Sequence, residues 1–381
     1  MRKRPSLLLF SIAIFLVSLN LRPLIAVVGP ILNSLQGKTN LSSSELGMLS
    51  TFPVIMMGIA SLFGGQLIKY IDEIKCITLG LLLVIATSVI RYISQDSIPL
   101  IFSAILGGIG IGLIQSMMPS YIKNYLPNNS SSLMSLFTTG IMAGAAIMAS
   151  LASPLLTRYG LPVTLGSALF PAIVGMLIWL LCGEQENTPK NKKITSIQLP
   201  LNKWYLMIFF GIGTGTYTLV LAWLPPYYVE NGWSVDQSGY ILGILTLTEV
   251  ISGFIISSII HKINDKRLLI FSVLTIILCG LLYFIILGAN SAIIPIVLLG
   301  LGIGALFPLS LIIALEHTNS PQQAGSLLSF VQGGGYLIAA LMPAIAGLIR
   351  DSFESLHYAW VVMTFGIAVL MLMTLKLKHS T

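Results

Sequence analysis

Two ionisable residues, Arg22 and Glu249, stand in the middle of long apolar runs, and any chemistry would begin there. A charged side chain at the centre of a helix in lipid costs roughly 2.5–3.5 kcal/mol on insertion scales, so it persists where it faces a partner or a wet cavity. Arg22 lies in Asn20-Leu21-Arg22-Pro23. Pro23 has no N–H to donate, so it kinks a helix and frees the carbonyl of Leu19, four residues earlier. A guanidinium beside a bent, partly unpaired backbone presents a planar fork of donors suited to an anionic or strongly polar solute. The alternative is a structural arginine bonded to a carboxylate or to carbonyls. Glu249 is the acidic residue near the centre of such a run and the candidate for proton coupling, because a buried carboxylate can take up and release a proton. It can equally pair with Arg22, or be neutralised by the hydroxyls of Thr246, Thr248 and Ser252.

Asn20, Gln115, Tyr217, Trp223, Gln332 and Tyr336, with Thr214, are the polar and aromatic positions expected to complete a solute site around Arg22. As a set they would hold a small planar solute by stacking and hydrogen bonds; singly, each is as readily packing or hydrogen-bond glue. Arg91, near the end of its run, is expected to snorkel to the membrane interface, and Glu45 to serve as a helix cap or interface residue.

Several chemistries lack their residues. There is no GxxxxGK[ST] phosphate loop and no HExxH, and the glycines from Gly211 to Gly215 sit inside an apolar run rather than after a strand. Cys76, Cys182 and Cys279 form no CxxC pair and read as free thiols. No cofactor or metal is expected. An enzyme would need a paired catalytic set at one depth, and a receptor a signalling domain; neither is legible, so a non-enzyme is expected.

The elements that must position these residues are set by composition. Hydrophobic residues make up 55% of the 381-residue chain and charged residues 9%, against roughly 25% charged in a soluble domain. So few charges cannot cover a surface in water, and lipid is the solvent implied. Twelve segments reach the roughly 20 apolar residues a spanning helix needs. They run near 6–35, 44–69, 74–94, 97–122, 131–157, 161–183, 203–229, 235–261, 267–288, 290–316, 322–349 and 356–376. The first is too long for a signal-peptide core and reads as a retained span. The expected organisation is an N-terminal six-helix bundle over 1–183, a polar cytoplasmic linker over 184–203 and a C-terminal six-helix bundle over 204–381.

Fifteen of the twenty Lys and Arg residues then fall on the side of the chain ends, among them Arg2, Lys3, Arg4, Lys190, Lys192 and Lys193; Lys38, Arg158 and Arg350 fall on the other. By the positive-inside rule both termini are cytoplasmic. The net charge of +7 is thereby a topology signal, and no nucleic-acid partner is needed. The halves also repeat. A shift of 192 residues sets Ser42–Gly47 on Ser234–Gly239, and Gly108, Gly110 and Gly112 on Gly300, Gly302 and Gly304. Parallel repeats with a solute site between them near the midplane are a transporter architecture, and small residues let helices approach closely in lipid.

The spans, the repeat and the central loop resemble the major facilitator superfamily. Asn20-Leu21-Arg22-Pro23, Leu221-Ala222-Trp223-Leu224-Pro225-Pro226, Phe307-Pro308-Leu309 and Gln332-Gly333-Gly334-Gly335-Tyr336 resemble its bacterial cyanate and 2-nitroimidazole transporter branch. The resemblance implies an all-α membrane protein of two pseudo-symmetric six-helix bundles. It implies alternating access, solute contacts from the first, fourth, seventh and tenth helices, and a small anion or small polar heterocycle as solute, with protons as a possible partner. It also implies a multi-pass protein of the bacterial cytoplasmic membrane, and because one chain already holds both halves of a pathway, a functional monomer is expected. The chain departs from the superfamily in the loop after the second helix. There Lys69 and Tyr70, ahead of Asp72, displace the usual aspartate and arginine. A proton-coupled exporter of drugs or toxic heterocycles is the alternative reading.

Overall fold

A computed structural model describes residues 7–39, 42–67, 71–125, 129–182, 203–259, 263, 265–290, 293–317 and 321–376. The linker expected over 184–203 lies outside the described residues except for Lys203, which is already helical; the displaced Lys69 and Tyr70 and nine of the fifteen basic residues placed on the side of the chain ends also lie outside them. The fold is helical, with no strand among the described residues. Eleven helical stretches are long and apolar enough to cross a membrane, and a twelfth apolar helix is shorter.

The first crossing is broken into α1 (Leu7–Leu19), α2 (Pro23–Ala26) and α3 (Val28–Thr39). Pro23 cannot donate to Leu19, so α1 stops there, and the backbone closes short turns from Asn20 to Val17 and from Leu21 to Ser18. The second, third and fourth crossings are α4 (Ser43–Leu67), α5 (Glu73–Ile93) and α6 (Ser97–Tyr125). The fifth and part of the sixth share α7 (Ser130–Gly166), which turns at Gly160, where φ is 81° and a side chain would be strained. The sixth is completed by α8 (Leu169–Cys182). In the second half come α9 (Lys203–Glu230), α10 (Val235–Ile259), α11 (Lys266–Leu287) and α12 (Ile293–Glu316). The eleventh crossing is α13 (Pro321–Ala339) with α14 (Leu341–Phe353), and the last is α15 (His357–Thr374). Large apolar side chains such as Phe170, Ile286 and Phe365 are exposed around the bundle. That surface suits lipid and would be unstable in water.

The internal repeat holds in local geometry where the sequence marks it. At the start of α4, the Ser42 N–H donates to Glu45 Oε2 at 2.9 Å and the Glu45 N–H to Ser42 Oγ at 3.2 Å. At the start of α10, Ser234 and Gln237 make the same reciprocal pair at 3.0 and 3.1 Å. Both are capping boxes, 192 residues apart. Gly112 of α6 packs on the Met57 backbone of α4, where an added Cβ would lie 2.9 Å from Met57 Cα. Gly304 of α12 packs still more closely on the Glu249 backbone of α10, where an added Cβ would lie 2.5 Å from Glu249 Cα. Met57 and Glu249 are therefore repeat mates, and the carboxylate belongs to one half alone.

The halves meet where α4 packs on α13 and α14, α7 on α10, and α3 on α9. At the end of the bundle opposite the two chain ends, here called distal, polar contacts tie them together. Ser44 donates its N–H (2.9 Å) and its hydroxyl to Asp351, and Ser153 donates to Asp236. Arg350 pairs with Glu230 at 2.6 Å and donates to Asn33 Oδ1 at 2.9 Å.

Candidate functional site

Between the halves lies a small cavity of about 20 Å³, room for about one water molecule. Arg22, Tyr217 and Glu249 line it together with Thr214, Phe307 and Ser310. Each wall has a local cause. Arg22 occupies the N-cap position of the four-residue helix α2 with its side chain making no capping bond, so the break at Pro23 leaves that side chain out of a regular helical row and free to enter the cavity. Gly304 lets α12 close on α10 beside Glu249, bringing Phe307 and Ser310 to the same depth. Met142, from the fifth crossing, covers the N-terminal side.

Arg22 is 4% exposed and its guanidinium carbon lies 5.2 Å from the centre of the Tyr217 ring, within range of a cation–π attraction. The Tyr336 hydroxyl faces the same guanidinium. Phe210 backs this arrangement, with its ring centre 5.5 Å from Tyr336 and 5.6 Å from Phe307. Glu249 is 1% exposed, and Arg22 acts on it across the cavity. Neither Glu249 oxygen has a hydrogen-bond partner, and Arg22 Nε and the Tyr217 hydroxyl also lack one. Buried polar groups are normally paired, so four unpaired atoms around one cavity mark a place where something else binds.

The sequence alternative for Glu249 fails. Thr246 donates to the Leu242 carbonyl at 3.0 Å, Thr248 to Ile244 at 2.8 Å and Ser252 to Leu301 at 2.5 Å. All three hydroxyls are spent on backbone. Arg91 is a second correction. It does not snorkel to the interface but is 1% exposed, bonded to the Leu24 carbonyl at 2.6 Å and to Ser103 Oγ at 3.0 Å. The anchor inside the bundle outcompetes the interface because the kinked first crossing supplies a carbonyl within its reach.

The other candidates divide. Tyr217 and Tyr336 join Arg22, and Thr214 lines the cavity. Asn20 stays within the N-terminal bundle, donating to the Leu16 and Pro171 carbonyls at 2.7 and 3.1 Å. Trp223 is a distal contact: its indole N–H donates to the Pro343 carbonyl at 3.0 Å, and Arg350 stands over its ring at 5.6 Å. Gln115 lies three residues after Gly112, on the side of α6 that packs against α4, and among the described residues the fourth crossing contributes nothing to the lining. Gln332, half-buried a turn before Tyr336, is also outside the lining. Met142 and Ser310 were not anticipated. Their depth follows from the fifth and tenth crossings packing beside the eighth, and no charge or repeat in the sequence marks them.

The family model described as Major Facilitator Superfamily matches residues 7–343. The cyanate transport protein of Escherichia coli (strain K12) is 32% identical over 96% of this chain and 96% of its own length. The 2-nitroimidazole transporter of the same strain is 25% identical over 94% of this chain and 92% of its own. A crystal structure of a D-xylose-proton symporter superposes with a TM-score of 0.81 at 14% identity, covering 99% of both chains.

Proposed function

Because the chain belongs to the Major Facilitator Superfamily, whose members are multi-pass membrane transporters, we propose that it carries a small anion such as cyanate by alternating access. The anion would sit between the Arg22 guanidinium and the Tyr217 and Tyr336 rings. The observation that carries this reading is the unpaired Arg22 Nε in a buried cavity, opposite a carboxylate that makes no hydrogen bond. A solute anion supplies the missing acceptor, and charge-assisted hydrogen bonds are about twice as strong as neutral ones. The cavity of about 20 Å³ holds about one water, so the walls would have to part slightly for an anion of a few heavy atoms, and a large solute is disfavoured.

Glu249 is the coupling residue in this scheme. When the solute occupies Arg22, the carboxylate loses its electrostatic partner and takes a proton, so proton and anion travel together. The two bundles, joined through 184–203, would rock about the cavity, opening the distal contacts. The basic excess near the chain ends supports an orientation with both termini in the bacterial cytoplasm and the distal end outside. One chain holds both walls of the cavity, which favours a functional monomer.

A second reading, export of small heterocycles, draws on the aromatic walls and on the 2-nitroimidazole relative. Counterflow in proteoliposomes separates the two. Labelled cyanate accumulating against unlabelled internal cyanate supports the anion reading. Counterflow with 2-nitroimidazole but not with cyanate replaces it by the second.

A further inference from the structure

Arg91 is the other arginine buried inside the bundle, and the transport scheme above gives it no task. It is 1% exposed. Its partners are neutral: the Leu24 carbonyl at 2.6 Å through Nη1 and Ser103 Oγ at 3.0 Å through Nε. No acidic side chain among the described residues is near enough to counter its charge. Removing a cation from water without a counter-ion is expensive, so its geometry has to return something.

The geometry is specific. Ser103 is itself fixed, its hydroxyl donating to the Leu100 carbonyl at 2.6 Å while its own carbonyl accepts from Thr87 at 3.3 Å. This holds the Arg91 fork against α6. Leu24 belongs to α2, the four-residue helix capped by Arg22. That helix is too short to be stable by itself, and it follows a break where Pro23 offers no N–H. At most about 7 Å of chain separates the Leu24 and Arg22 Cα atoms. Whatever fixes the Leu24 carbonyl therefore fixes the direction from which Arg22 enters the cavity.

We propose that Arg91 is a positioning residue for the solute site, clamping the Pro23–Ala26 segment through the Leu24 carbonyl so that the Arg22 guanidinium is held ready for the anion. The proposal rests on the anion reading for its functional consequence and not for the clamp itself. The clamp is tested by hydrogen exchange on the full chain in nanodiscs. In Arg91→Gln, exchange in peptides covering 20–28 rises on the order of tenfold, while peptides from α9 and α12 keep wild-type rates. In proteoliposomes, the KM for labelled cyanate rises about tenfold with Vmax within about twofold. Arg91→Lys, able to hold one acceptor but not both, falls between. In an Arg22→Lys background, Arg91→Gln adds less than about twofold, because the residue it positions has already been altered.

Unchanged exchange over 20–28 overturns the clamp. A KM penalty of equal size in both backgrounds, or a lower Tm with unchanged KM, reduces Arg91 to a structural residue and overturns the positioning role. If Arg91→Gln does not reach the membrane folded, Ser103→Ala removes only the Nε acceptor and should move both readouts the same way by about threefold; no movement overturns the proposal. If Arg22→Ala takes up cyanate normally, the anion reading fails separately, and exchange over 20–28 still decides the clamp.

Discussion

The cavity and the distal seal are both polar, both lie between the two halves, and they are built oppositely. At the seal, polar groups satisfy one another: across the halves Ser44 with Asp351, Ser153 with Asp236 and Arg350 with Asn33, and within the C-terminal half Arg350 with Glu230 and Trp223 with the Pro343 carbonyl, leaving over Arg350 Nη1. At the cavity, both Glu249 oxygens, Arg22 Nε and the Tyr217 hydroxyl are left over. A saturated polar contact between rigid bodies holds a conformation and is exchanged for water when it opens. An unsaturated one in a buried space is costly until a ligand completes it. The difference separates the parts that choose the state of the protein from the part that chooses the solute.

The sharpest way to break this contrast is at Arg22. Arg22→Ala should lower kcat/KM for cyanate uptake roughly 100-fold or more, since it removes a charge-assisted contact. Arg22→Lys keeps the charge without the fork and should retain part of the activity. Initial rates in proteoliposomes measure both, and wild-type rates in the alanine variant would remove Arg22 from the site. Next in size, Glu249→Gln should abolish accumulation driven by a pH gradient, on the order of tenfold in steady-state uptake, while exchange of internal for external solute continues. Identical pH dependence in the variant would make Glu249 structural.

At the seal the expected effects are smaller. Asp351→Asn or Asp236→Asn weakens one contact between the halves by about 1 kcal/mol, shifting the open population about fivefold per site. A cysteine introduced at Ser310 should then be labelled faster by an impermeant maleimide added outside, while the KM stays near wild type. Faster labelling accompanied by a tenfold KM change would show that seal and cavity are one unit. Smallest of all, Ser42→Ala and Ser234→Ala each remove half of a capping box, costing about 1 kcal/mol. The Tm of the purified protein should fall equally for the two repeat mates, with uptake intact.

Arg22 and Glu249 were legible because a charge inside an apolar run is conspicuous, and Tyr217 and Tyr336 because an aromatic hydroxyl in such a run needs a partner. Asn20 and Trp223 satisfied the same criterion and belong elsewhere. Asn20 finds the Pro171 carbonyl on the neighbouring α8, and Trp223 the Pro343 carbonyl on α14. A polar residue in a membrane helix announces that it must be satisfied, not by whom. Arg91 failed for the same reason: its sequence position near a span end allowed the interface, and the carbonyl that captured it became available only when Pro23 broke the first crossing.

The sequence by itself determined the solvent, the helices and the repeat. Low charge, spans of membrane length, and capping boxes and glycines recurring at one offset are local or periodic properties, written along the chain and readable without folding it. Only the tertiary structure decided which polar groups face each other. It set Glu249 where its repeat mate is Met57, spent Thr246, Thr248 and Ser252 on backbone, brought Met142 and Ser310 to the cavity wall, and turned Arg91 inward. Pairing among buried groups depends on distances between helices far apart in sequence, and those distances exist only once the two bundles have packed.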